Sequence, residues 1–197
     1  MVLGVTGKYG AGKDEVTRIL VAKGFSEINV DALGHRALEE CKPEVVRAFG
    51  GEILTPEGQI DRRALGQLVF SCKARLKALE AIVHPHLKEL VNERLSQLWG
   101  HIVINAALLF KLGLEPLVDA VFIIRAPFYL RLKRAMERDR LSLWQLGQRF
   151  ICQYKIIPKK SHIKADTYYI ENTGSRIALT KRVERVLHQL KTREGLL

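Results

Sequence analysis

The stretch Gly7-Lys8-Tyr9-Gly10-Ala11-Gly12-Lys13 constrains this chain more than any other part of it. It fits G-x-x-x-x-G-K and lies between the apolar run Val2-Leu3-Gly4-Val5 and a segment whose apolar residues Val16, Ile19 and Leu20 have helical spacing. Strand, glycine turn and helix in that order belong to α/β architecture, where the helix must double back to cover the sheet that the strand enters. Glycines let successive backbone N–H groups point inward, and the helix N-terminus adds its positive end, so the loop is built to cradle phosphate oxygens. The competing reading is a glycine turn with no ligand.

The rest of the chain extends the same pattern. Residues 25–30 read as a second strand ending at Asp31, and residues 33–49 as helical. Gly50-Gly51 and Thr55-Pro56-Glu57-Gly58 punctuate a loop. Asp61 is placed to cap a helix over 62–70, another helix runs from 73 to the His84-Pro85 turn, and a third covers 87–98. Residues 102–104 and 118–124 are short apolar runs rich in β-branched residues, suited to strands buried on both faces. Pro127 fits the first turn of a helix to about Arg138, Ser142 a cap for 143–153, residues 167–170 a last strand, and 177–190 a closing helix. The expected fold is therefore α/β: a parallel sheet flanked by helices. Residues 1–54, 101–125 and 165–197 form its core, and 55–100 form a helical insertion.

Charge matters for the partner. The 32 Lys and Arg outweigh the 21 Asp and Glu, giving a formal +11, which favours polyanions in general. Eleven basic residues fall between Arg125 and Lys164 against two acidic ones, Glu137 and Asp139. This basic segment, 126–164, either contacts phosphates or is a solvated helix face. It lacks interleaved aromatics suited to stacking bases, which argues against nucleic acid. The three scattered cysteines make neither a disulfide framework nor a metal pair. No secretory leader is visible, and the most apolar run is far short of the ~20 residues a membrane helix needs. A cytoplasmic protein with no membrane association is expected. Trp99 and Trp144 are expected to pack.

Further motifs carry a specific resemblance. Residues 2–16 (VLGVTGKYGAGKDEV) are followed by Ile28-Asn29-Val30-Asp31 and Phe49-Gly50. Then come Gly58-Gln59-Ile60-Asp61-Arg62-Arg63-Ala64-Leu65-Gly66, Ala81-Ile82-Val83-His84-Pro85 and Leu108-Leu109-Phe110. Arg138-Asp139, Gln148-Arg149-Phe150-Ile151-Cys152-Gln153, Ala165-Asp166 and Asn172-Thr173-Gly174-Ser175 close the series. In this order the chain resembles the dephospho-CoA kinases. That likeness implies a P-loop kinase fold with a helical acceptor subdomain and a basic lid, and use of ATP with Mg²⁺ to phosphorylate the ribose 3′-hydroxyl of dephospho-CoA. Departures are present: Lys8-Tyr9 in the loop, Asp14 for the usual Ser or Thr, Asn29 for the first Asp of D-x-D, and Ala107 and Lys111 around Leu-Leu-Phe.

The resemblance also implies roles. Gly7, Lys8, Tyr9, Gly10, Ala11, Gly12, Lys13, Asp14 and Glu15 would surround the ATP phosphates, and Asn172 would meet adenine or serve as a plain turn residue. Lys13 would reach the β- and γ-phosphates. Asp14 is either a carboxylate ligand to Mg²⁺ or a mark of weakened activity. Asp31 would orient the acceptor hydroxyl and take its proton, or merely cap a helix. Arg138 would be the lid arginine, with Arg134, Arg140 and Arg149 competing. Arg62, His84, Arg149 and Gln153, with Asp31, would bind the acceptor; for His84 a helix-capping role is the alternative. Rival functions are a P-loop kinase for another small nucleotide or sugar acid, and a degenerate nucleotide- or nucleic-acid-binding protein.

Overall fold

A computed structural model describes residues 1–139, 158 and 165–193, without the side chains of residues 138, 139 and 193. Expectations on Arg140, Ser142, Trp144, Arg149, Cys152 and Gln153, and on the side chain of Arg138, lie outside the described residues. Among the described residues, five strands make one sheet in the order β2-β3-β1-β4-β5. They are β1 (Val2–Gly7), β2 (Ser26–Asn29), β3 (Ile102–Asn105), β4 (Ala120–Arg125) and β5 (Asp166–Glu171). β1 pairs in parallel with β3, Val2 opposite Ile102, and with β4, Leu3 opposite Ala120; β4 pairs in parallel with β5. The α/β class read from the sequence is the one observed.

Among the described residues the α-helices are α1 (Lys13–Val21), α2 (Val30–Glu40), α3 (Lys42–Phe49), α4 (Arg62–Phe70), α5 (Lys73–Ser96), α6 (Phe128–Asp139) and α7 (Arg176–Arg193). The chain separates into two compact units, Met1–Ile28 with Leu98–Leu197, and Asn29–Gln97. In the first, Leu3, Val5, Val103, Phe122 and Ile124 meet Val16, Ile19 and Leu20 of α1 and Leu179, Val183, Leu187 and Leu190 of α7. This layer of apolar side chains fixes α1, and with it the loop that α1 continues, against the centre of the sheet. In the second unit α5 is the spine, with Val83, Leu87, Leu90 and Val91 buried. The smaller unit begins at Asn29, so it takes in α2 and α3 as well as the helical segment expected from residue 55.

Three local readings are corrected. α5 is one 24-residue helix that runs through Pro85, not two helices broken at His84-Pro85. Proline at 85 removes a single N–H, and the buried residues on both sides of it outweigh that loss. His84 therefore lies inside a helix whose flanking positions are Cys72 and Gln97, far from either cap. Trp99 is 89% exposed rather than packed. By contrast Asp61 caps α4 as expected, its carboxylate accepting from the Arg63 and Ala64 amides at 2.8 and 3.1 Å.

Candidate active site

β1 is central, and its neighbours β3 and β4 lie on opposite sides, so the chain leaving β1 emerges where the strand order reverses. Open α/β sheets place ligands in that crevice, at the carboxyl ends of the strands. The glycine loop occupies it. Ala11 N donates to Lys8 O at 2.9 Å, closing the turn, and Gly12 takes left-handed angles (φ 90°, ψ 34°) at the N-cap of α1. The N-cap of α1 is this glycine, which has no side chain with which to cap the first amides, and a helix start of this kind suits an anionic ligand.

Two neighbours hold the loop in shape. A β-carbon at Gly10 would stand 2.5 Å from the Arg131 carbonyl of α6, and one at Gly12 would collide with the Asn172 amide nitrogen. Both glycines also have positive φ. Asn172, 6% exposed, donates its Nδ2 to Ala11 O at 2.9 Å. Arg134 Nη2 in turn donates to Asn172 O and Oδ1 at 3.1 and 3.4 Å. Arg131 Nη1 donates to Tyr9 O at 3.4 Å, and burial lowers the guanidinium's pKa. The basic helix α6 thus holds the loop directly through Arg131, at the Tyr9 carbonyl, and indirectly through Arg134, which holds Asn172.

Inside the crevice lies a charged cluster. Lys13 Nζ donates to Asn105 Oδ1 at 2.9 Å and to Asp14 Oδ1 at 3.0 Å. Asn105, at the end of β3 and 1% exposed, donates its Nδ2 to Asp14 Oδ1 at 3.2 Å and to Glu27 Oε1 of β2 at 2.9 Å. Among the described residues the cluster holds one lysine and two carboxylates. Their hard oxygen donors suit a hard divalent cation. Among the described residues no three His, Cys, Asp or Glu side chains form a closed metal cage, so such a cation would complete its shell with water or phosphate.

The remaining candidates are placed as follows. Glu15 accepts from Arg18 at 2.6 Å through Oε2 and forms an ion pair with Arg176 at 2.7 Å through Oε1, so it links α1 to α7. Asp31 is exposed in the first turn of α2. The cap of that helix is Asn29, whose side chain accepts from Ala32 N at 3.0 Å, so the capping alternative for Asp31 falls away. Arg62 is exposed at the start of α4, and His84 is half-buried in α5. Sequence reading missed Asn105 and Glu27. The available signal was a polar residue closing the apolar run 102–104.

The dephospho-CoA kinase family model matches residues 1–178. A curated dephospho-CoA kinase from Thermus thermophilus is 37% identical over 191 residues, covering 96% of this chain and 92% of the relative. A crystal structure from Thermus thermophilus superposes with a TM-score of 0.80 at 36% identity, covering 96% of this chain and 97% of that one. A dephospho-CoA kinase from Campylobacter jejuni gives a TM-score of 0.69 at 29% identity, covering 100% and 98%. With the phosphate loop at the strand-order reversal and the match spanning both compact units, this chain belongs to the dephospho-CoA kinase family.

Proposed function

We propose that the chain transfers the γ-phosphoryl group of ATP to the ribose 3′-hydroxyl of dephospho-CoA, giving coenzyme A and ADP. The observation that carries this is the lysine-bearing phosphate loop at the head of α1, in a chain matched by the family model over residues 1–178. In the transfer the acceptor oxygen bonds to the γ-phosphorus, the bond to the β-phosphate oxygen breaks, and the hydroxyl proton passes to a base. The protein's share is positioning and charge neutralisation.

Lys13 and the loop amides at Gly10, Gly12 and Asp14 hold the phosphates. Asp31 orients the acceptor hydroxyl and accepts its proton; that Asn29, not Asp31, caps α2 supports the assignment. Arg138 of α6 donates to the transferring phosphoryl group. Asn172 acts on ATP through the loop it supports. Arg62, His84, Arg149 and Gln153 bind the acceptor, the first two from the unit Asn29–Gln97. Asp14 would hold the Mg²⁺ that accompanies ATP, which would supply neutralisation of phosphate charge. The protein works in the cytoplasm; among the described residues, no helix is long and apolar enough to cross a membrane.

The test is ADP release in ATP and Mg²⁺ with dephospho-CoA, AMP, adenosine or gluconate as acceptor. Release specific to dephospho-CoA is expected. Release no faster with dephospho-CoA than with water defeats the proposal, and preference for another acceptor moves it to a sister kinase.

A further inference from the structure

P-loop enzymes hold their cation between a Ser or Thr hydroxyl, directly after the loop lysine, and an Asp on a neighbouring strand. Here neither position carries the usual group. The residue after Lys13 is Asp14, and Asn105 stands at the carboxyl end of β3, the strand beside β1. The two side chains touch: Asn105 Nδ2 donates to Asp14 Oδ1 at 3.2 Å. We propose that the cation-holding carboxylate has changed places, moving from the strand to the loop, and that Asn105 is the positioning residue that makes Asp14 usable there.

Charge and hydrogen bonding explain why the exchange must involve both positions. With Asp14 on the loop, a carboxylate at 105 would face like charge from Asp14 and from Glu27, both now within 3.2 Å of the Asn105 amide nitrogen. Such a pair is disfavoured unless a proton or cation intervenes. The amide has the same shape but presents two N–H donors, one to each carboxylate, while its carbonyl accepts from Lys13 Nζ. The amide nitrogen and the carbonyl oxygen of this buried side chain are thereby both engaged. Lys13 and Asn105 together fix the Asp14 oxygen. Swapping Asp14 to serine and Asn105 to aspartate conserves the net charge: the new hydroxyl can donate to the new carboxylate, which Lys13 still neutralises. Glu27 is exposed and can swing aside.

This inference rests on the reading of the site as one for a nucleotide with Mg²⁺, yet it is tested without any acceptor. Mn²⁺ binding to the protein with ADP is measured by electron paramagnetic resonance, and ADP affinity with and without Mg²⁺ by calorimetry. The proteins are wild type, Asp14→Ser, Asn105→Asp, the double variant and the isosteric Asp14→Asn. Contacting residues couple by factors of roughly three to a hundred. Asp14→Ser and Asp14→Asn should each lose about tenfold in metal affinity, Asn105→Asp, whose crowded carboxylates a cation relieves, should lose none, and the double variant should recover to within about threefold of wild type. Circular dichroism and melting establish that each variant is folded. If the double variant binds metal no better than Asp14→Ser, or if wild type shows no dependence of ADP affinity on Mg²⁺, the proposal is overturned. Failure of dephospho-CoA phosphorylation with the coupling intact would count against the acceptor assignment alone and leave the exchange standing.

Discussion

Replacing Gly12 by alanine tests whether the phosphate loop is held by shape. Gly12 has φ 90° and ψ 34°, where a β-carbon costs about 1–2 kcal/mol. The added methyl would also collide with Asn172 Nδ2, which donates to Ala11 O at 2.9 Å in a site only 6% exposed. Moving that amide leaves a buried carbonyl without its donor, at about 1–3 kcal/mol. The expected total is about 2–5 kcal/mol. It should appear in global stability, because α1 contributes Val16, Ile19 and Leu20 to the main core. Urea denaturation without nucleotide measures it, and a melting shift of roughly 4–20 °C should accompany it. The decisive comparison is Gly12→Ala in an Asn172→Ala background. There the collision is gone, and only the backbone strain of about 1–2 kcal/mol should remain. An equal cost in both backgrounds would refute the collision and leave Asn172 as a bystander to the loop.

Other expectations follow from single residues. Asp31→Asn should lower kcat roughly a hundredfold or more with ATP affinity nearly intact; near-normal turnover would remove Asp31 from the chemistry. Arg138→Ala should depress kcat/KM for phosphoryl transfer more than it weakens ATP binding, measured by steady-state kinetics beside calorimetry. An equal loss in both would make it a ground-state contact. His86 bridges Glu40 at 2.5 Å and Glu89 at 3.2 Å, which raise its pKa. Its contribution is therefore fully present below the unfolded value of about 6.5 and is lost as pH rises through the higher folded value. His86→Gln should destabilise the protein at about pH 5.5 and matter little near pH 9, and a gap independent of pH in urea titrations would show that packing, not charge, is at stake.

Features set by short-range physics were legible in the residues alone. The glycine loop announces itself because positive φ at Gly10 and Gly12 demands glycine, and because the strand before it and the helix after it carry their own periodicities. The apolar runs at 102–104 and 118–124 read as buried strands, the second observed from Ala120, and Asp61 could be placed as a cap from its neighbours. That Asn29 rather than Asp31 caps α2 was not legible locally, since either side chain can accept a first-turn amide. It was decided by where β2 ends and which residue keeps an extended backbone (φ −87°, ψ 96° at Asn29). The continuity of α5 through Pro85 likewise depended on a buried face whose value no local propensity expresses. The cluster of Lys13, Asp14, Glu27 and Asn105 brings together side chains up to 92 positions apart. No periodicity links them. They meet because parallel pairing of β1 with β3 aligns the strands' carboxyl ends, and that register is set by the whole core rather than by any segment of the chain.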